Sequence, residues 1–279
     1  MNMEELREYQ LAQLELLDIT DEICKAKNLK YYLIGGTLLG AIRHGGFIPW
    51  DADIDIAMPR EDYEAFLKYW MENPSERYFY QHFSTEKNHL SPHAILKIKN
   101  TKVIMNERVS KYKPKHEGIY MDVFPLDNPP ELPEKQKKQA EKIKRIKRII
   151  ELKSGYEYSS TSVLKKLEKK LLQIILLPIS FVYLNRKMDN CMKKYSSSDG
   201  EYLVSMASHY SYWKQLMPKE IYGTPTRVSF ENKVYNAPAK VDEYLTRIYK
   251  DYMKLPPEDG LYSILDYMVK VDYSVRGEK

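Results

Sequence analysis

Three aspartates stand at alternate positions in Asp51-Ala52-Asp53-Ile54-Asp55-Ile56. In an extended strand, residues two apart point to one face. Asp53 and Asp55 would then sit side by side, with Asp51 in line if the strand begins that early, and Ile54 and Ile56 would face a core. Adjacent carboxylates repel unless a cation lies between them. Magnesium takes carboxylate oxygens and keeps its other positions for water and substrate phosphates, so a strand-borne Asp-x-Asp is a platform for phosphate chemistry. The competing reading is a polar strand face at the surface. Against it stand the apolar residues between the acids, a Gly-Gly pair upstream and a further acid downstream. That acid is Asp122, in Gly118-Ile119-Tyr120-Met121-Asp122-Val123-Phe124-Pro125-Leu126-Asp127. Met121 and Val123 would point into a core, and a carboxylate between buried neighbours is costly unless paired or metal-bound. A structural salt bridge is its alternative role. Asp127, after Pro125, is expected in a turn.

Candidate phosphate-binding groups surround the acids. Gly35 and Gly36 would let the backbone approach a ligand closely and aim amides at a phosphate, helped by the N-terminus of the helix that starts near Thr37. Arg43 and His44 would supply charge and hydrogen-bond donors. Lys97, with Asn100 and Thr101 after it, would do the same from a neighbouring strand.

These residues need elements to carry them. Leu6, Leu14, Leu17 and Ile23 recur at helical spacing, so Glu4 to Lys27 reads as a helix. Tyr31 to Ile34 reads as a buried strand ended by a Gly35-Gly36 turn, followed by a short helix from Thr37 to Arg43. Asp53 to Met58 alternates as a strand, stopped by Pro59, and Glu61 to Met71 is helical. Tyr78 to His82, Ala94 to Lys99 and Ile119 to Phe124 are further strands. Pro133 to Lys153 is a basic helix, and Leu164 to Lys193 a second long helical stretch, interrupted or kinked at Pro178. Thr226 to Tyr235 reads as a hairpin and Val241 to Tyr249 as a helix. The alternation implies an α/β (α+β) chain with an additional helical region. The expected divisions are a catalytic core at 1–130, a basic, mainly helical part at 131–220, and a C-terminal segment at 221–279 that packs back on the core.

The chain has 279 residues, 43% hydrophobic and 30% charged, with 11 Gly and 15 Pro. These values exclude collagen-like, low-complexity and wholly disordered classes. Two cysteines, Cys24 and Cys191, far apart and outside any CxxC, speak against a disulfide scaffold or zinc ribbon and for a reduced, cytoplasmic setting. The N-terminus lacks a signal-peptide layout, and no apolar run reaches the roughly 20 residues of a membrane span. The net charge of +5 is modest but unevenly placed. Basic residues cluster from Lys135 to Lys170, ahead of the apolar run Leu171 to Leu184. That run reads either as a helical core segment or as an interfacial one, held to the inner membrane face by lysines drawn to anionic lipid. Nucleic acid is not an expected partner, since no recognition motif accompanies the charge.

The run Gly35-Gly36-Thr37-Leu38-Leu39-Gly40-Ala41-Ile42-Arg43-His44-Gly45-Gly46-Phe47-Ile48-Pro49-Trp50-Asp51, followed by Asp53-Ile54-Asp55, resembles the LicD family of phosphocholine transferases, whose relatives include the fukutin-type sugar phosphotransferases. The block around Asp122, Lys97 with Asn100-Thr101, and the tail with Phe230-Glu231, Tyr244-Leu245 and Tyr249 to Met253 before Pro256-Pro257 fit the same resemblance. It covers about 10–128 and 225–257; Ala52 departs from it, where many members have a further Asp. The resemblance implies a nucleotidyltransferase-like fold, a mixed sheet flanked by helices, with Asp53, Asp55 and Asp122 as ligands of Mg2+ (or Mn2+). It implies transfer of phosphocholine from CDP-choline, or of a related group from another CDP-linked donor, to a sugar hydroxyl of a lipid-linked glycan precursor such as teichoic acid or lipopolysaccharide. A nucleotidyl transferase and a non-catalytic membrane-associated scaffold remain as alternatives. Choline also needs a site for a quaternary ammonium, and the Tyr210, Tyr212 and Trp213 cluster reads as ordinary packing rather than an aromatic cage.

Overall fold

The computed structural model describes residues 2–105, 112–155, 163–198, 200–256 and 268–273. The N-terminal helix α1 (Met3–Lys27) begins in a capping box: Asn2 Oδ1 accepts from the Glu5 amide, and the Glu5 carboxylate accepts from the Asn2 amide. It ends at Asn28, in the left-handed region that stops helices. Its buried stripe holds Leu6, Tyr9, Leu16 and Leu17, but also Gln10 and Gln13. Those two amides matter below.

The central sheet is built from β1 (Tyr32–Leu33), β2 (Asp55–Pro59), β3 (Tyr78–Gln81), β4 (Ala94–Ile98) and, after the outlying strand β5 (Lys102–Met105), β6 (Tyr120–Leu126). Its order is β1-β2-β6-β4-β3. Only β2 and β6 run parallel; the other pairs are antiparallel. Helix α2 (Gly35–His44) joins β1 to the loop before β2, and α3 (Arg60–Glu72) follows β2 directly. Ile54, Ile56, Met121 and Val123 are fully buried, as the alternation requires. The mixed sheet flanked by helices is thus the expected class.

Two boundaries differ from expectation. Gly35 and Gly36 do not form a turn before a helix; they are the first two residues of α2. Strand β2 starts at Asp55, so Asp53 lies in the extended approach to it, with Ile54 O accepting from the Asp122 amide. Of the two readings of the stretch around Pro178, interruption holds: it forms two helices, α5 (Val163–Leu176) and α6 (Phe181–Met192), following α4 (Pro133–Ser154). Pro178 cannot continue a helix, and Ser180 caps the next by accepting from the Tyr183 amide at 3.1 Å.

The remainder packs around this frame. Strands β7 (Tyr202–Val204) and β8 (Leu216–Pro218) form a small sheet with α7 (Tyr212–Gln215) between them and α8 (Lys219–Tyr222) after. The hairpin of β9 (Thr226–Phe230) and β10 (Lys233–Ala237) packs on β1 and α2, and α9 (Val241–Tyr249) packs on α2. Strand β11 (Met268–Asp272) pairs with β5. Pro257 of the family resemblance lies outside the described residues. Cys24 and Cys191 are buried and unpaired.

Candidate active site

The parallel pairing of β2 with β6 sets Asp55 directly beside Asp122. Asp53 and Asp51 lead into the same end of the strands. All four carboxylates are half-buried. The loop that carries Asp51 and Asp53 is clamped from α1: Gln10 Nε2 donates to the carbonyls of Ile48 (3.1 Å) and Asp51 (2.8 Å), and Gln13 Nε2 donates to that of Tyr120 (2.7 Å). Thr37 Oγ1 accepts from the Asp55 amide at 2.8 Å, so its buried hydroxyl braces the acid. The glycines make room. A Cβ on Gly36 would stand 2.4 Å from Asp51 Oδ2, and one on Gly35 3.2 Å from Asp55 Oδ2. Gly35 also has φ +56°, which an L side chain resists. The N-terminus of α2 therefore faces the acids, and the Gly35 amide donates to Tyr244 Oη at 3.2 Å.

Charge in this cluster is uncompensated. Burial, then the charges of Asp55, Asp51 and Asp122, push Asp53 well above the ordinary carboxylate range. Burial, then Asp122 and Asp51, do the same to Asp55. Burial lifts Asp51, which shares a hydrogen bond with Asp53. Asp122 has His93 Nε2 at 3.3 Å from Oδ1, yet that oxygen has no hydrogen-bond partner. Clustered hard oxygen donors with one orphaned oxygen fit a divalent cation. Among the described residues no group of three or more His, Cys, Asp or Glu side chains is arranged to hold a metal ion as it stands. Magnesium asks for less from a protein: it takes one or two carboxylates and completes its shell with water and phosphate oxygens.

The other candidates fall at different distances. The register sets Ile95 opposite Asp122, so Lys97 shares its face. Burial pulls Lys97 down to about 8 against the lifting charge of Asp122, and its Nζ donates to the His116 carbonyl at 2.7 Å. Arg43 and His44 sit in the last turn of α2, roughly 12 Å along the helix from Gly35. Arg43 Nη1 donates to the Tyr252 carbonyl at 3.0 Å, and the His44 ring packs edge-on to Trp50. Thr101 Oγ1 accepts from the Ile119 amide and closes the loop behind Lys97.

Several residues at the site carry no signal in the local sequence pattern. Gln10 and Gln13 look like interruptions of an apolar stripe. Glu231, at φ 56°, accepts from the Phe47 amide at 3.0 Å and pairs with Arg7 at 2.6 Å, fixing the loop before the acids. Asp127 is not in a turn. It is fully buried, bridges to Val204 through the backbone, and binds Arg60 Nε at 2.7 Å and Nη2 at 2.8 Å. Arg60 Nη1 reaches Asp189 at 2.8 Å. A recess of about 660 Å³ lined by Arg60, Asp62 and Lys219 opens at that far end of β2 and touches none of the clustered acids.

A family model described as LicD/FKTN/FKRP, nucleotidyltransferase domain, matches residues 28–145, which span Gly35 through Asp122. The chain is 32% identical over 260 residues to the lipopolysaccharide cholinephosphotransferase LicD of Haemophilus influenzae, covering 91% of this chain and 93% of that protein. The chain belongs to the LicD family. Shorter matches, 50% identical over 40 residues, link it to the ribitol 5-phosphate transferase FKRP of Homo sapiens and of Mus musculus, covering 14% of this chain and 8% of each. This chain thus has named phosphotransferases among its relatives, a cholinephosphotransferase and a ribitol 5-phosphate transferase.

Proposed function

We propose that this LicD-family chain is a transferase that moves phosphocholine from CDP-choline to a sugar hydroxyl of a cell-surface glycan precursor. The observation that carries the reading is the uncompensated Asp51, Asp53, Asp55 and Asp122 cluster at the α2 N-terminus, in a chain alignable nearly end to end with a cholinephosphotransferase. Asp53, Asp55 and Asp122 would hold Mg2+ or Mn2+; such an ion, when bound, offsets the charge of the donor pyrophosphate and the departing CMP. The α2 amides and Lys97 would orient phosphate oxygens. The acceptor hydroxyl oxygen forms the new bond to the choline-bearing phosphorus, and the bond from that phosphorus to CMP breaks. One of these carboxylates, with Asp122 as the candidate, would orient the acceptor hydroxyl or receive its proton.

Product analysis tests this. CMP released from CDP-choline in the presence of magnesium and an acceptor glycan supports phosphocholine transfer. CMP from CDP-ribitol alone would move the donor to a polyol phosphate. Pyrophosphate from CTP alone would make the chain a nucleotidyl transferase.

The same reading includes peripheral contact with an anionic membrane. Among the described residues no helix is long and apolar enough to cross one. Helix α5 nevertheless exposes Leu167, Leu171, Ile174 and Ile175 at helical spacing, each at least 58% accessible. Beyond Pro178, Phe181 and Leu184 of α6 turn into the core, while Tyr183 stays exposed. The sequences of α4 and α5 hold thirteen basic and four acidic residues, so these two helices carry more positive charge than the whole chain nets. Like charge opposes a second copy on this face, whereas anionic lipid complements it. Co-sedimentation with phosphatidylglycerol vesicles but not phosphatidylcholine vesicles, lost in L171E/I175E, is the expected result. Equal binding by the variant would remove membrane contact from the reading.

A further inference from the structure

Between α4 and the segment leading into α7 runs a groove of about 800 Å³. Its α4 wall presents Lys137, Lys144 and Arg148, all exposed and spaced at seven and four residues on one helical face. They span roughly 16 Å. The opposite wall is aromatic, with Tyr210, Tyr212 and Trp213, and Trp213 is 48% accessible. Lys147 ties the walls together: its Nζ donates to the carbonyls of Ala207 at 3.2 Å and Ser208 at 2.6 Å. Tyr212 Oη does the same with Gln139 Oε1 at 3.0 Å. The groove is therefore built, not a gap between loosely packed parts. Glu141 and Glu151 also line it, leaving the cations in excess.

One wall connects to the acids by two routes. The Tyr210 ring lies edge-on to Tyr249 with centroids 6.4 Å apart, and Tyr249 Oη stands 3.9 Å from the place a Gly35 Cβ would take. His209, beside Tyr210, lies within the electrostatic reach of His93, which sits against Asp122.

A row of cations facing an exposed indole suits a particular chemistry. Sugar rings present flat C–H faces that pack on aromatic rings, and phosphates pair with Lys and Arg. One nucleotide pyrophosphate would engage only part of a 16 Å row, whereas anions repeated along a chain would engage all of it. Lys169 of α5 borders the same groove, so the apolar α5 face and the groove adjoin. We propose that this groove binds the acceptor, an anionic phosphate-bearing saccharide chain, with its charged length along α4 and its reacting hydroxyl toward Tyr210 and the acids. The proposal rests on the transferase reading above.

Calorimetry on the full chain tests it with two probes: a phosphorylated oligosaccharide made by deacylating lipopolysaccharide, and a short poly(ribitol phosphate) chain, each with its phosphate-free counterpart. The expected result is binding of at least one phosphorylated probe, at least tenfold weaker without phosphate. K144Q/R148Q should weaken it tenfold or more and W213A severalfold, both leaving CDP-choline affinity within twofold. Substitution at these exposed positions leaves the core untouched. Unchanged probe binding in K144Q/R148Q, or no binding of either probe by the unmodified chain, overturns the proposal. So does parallel loss of CDP-choline, which would give the groove to the nucleotide. Probe binding with no affinity for CDP-choline in the unmodified chain would instead overturn the transferase reading.

Discussion

Strands β2 and β6 carry buried or half-buried acids at both ends, and the two ends are handled in opposite ways. At the far end Asp127 and Asp189 share one guanidinium, Arg60, which satisfies both at 2.7–2.8 Å. At the near end Asp51, Asp53, Asp55 and Asp122 meet no Lys or Arg in an ion pair among the described residues, and a glycine pair keeps space beside them. A folded chain tolerates buried like charge only where something else accounts for it. The compensated end reads as architecture, and the uncompensated end is where the proposed function places a cation and a phosphate.

The sharpest way to break this contrast is to neutralise one member of each cluster. D53N should lower turnover about 10³-fold, since a carboxylate that positions a cation contributes several kcal/mol to transition-state stabilisation. Its metal-free melting temperature should hold or rise, because like-charge repulsion is relieved. R60M should do the reverse. Leaving Asp127 and Asp189 buried without a partner costs about 3–5 kcal/mol of stability, read from urea unfolding.

Acidity should separate the ends next. Asp53 and Asp55 are raised above ordinary carboxylate values in the folded chain. Their contribution is therefore full at pH below the ordinary value and lost as pH rises through the raised ones. Metal-free melting temperatures should fall over that rise, and D53N should flatten the fall. Near the Arg60 end, burial pulls His82 down to about 4. Its contribution is present above the ordinary histidine value and lost as pH falls from about 6.5 toward 4. Two opposed slopes in one melting curve are the expected pattern. The smallest effect belongs to T37V, which removes the acceptor of the Asp55 amide. It should cost about 1 kcal/mol and lower turnover severalfold with the donor's KM little changed.

The near end was legible because its acids recur every second residue between buried isoleucines, a pattern that survives in one short segment. The Arg60 network was not, since Arg60, Asp127 and Asp189 come from three distant elements and each looks ordinary alone. The same reason hid β5 with β11 and β7 with β8, short strands whose pairing is non-local. Helices α1 and α9 were readable because a 3.6-residue period repeats within them. Gln10 and Gln13 show the limit of that signal: their place on the apolar stripe is clear, but only the folded chain brings Asp51 O and Tyr120 O to them.

The central claim is that the near-end carboxylates hold a divalent cation on which the CDP-linked donor depends. Calorimetric titration of CDP-choline into the purified chain, with and without magnesium and in D53N, tests it most directly. Binding that requires magnesium and disappears in D53N is the expected result. Equal binding without magnesium, or undiminished binding in D53N, would contradict it.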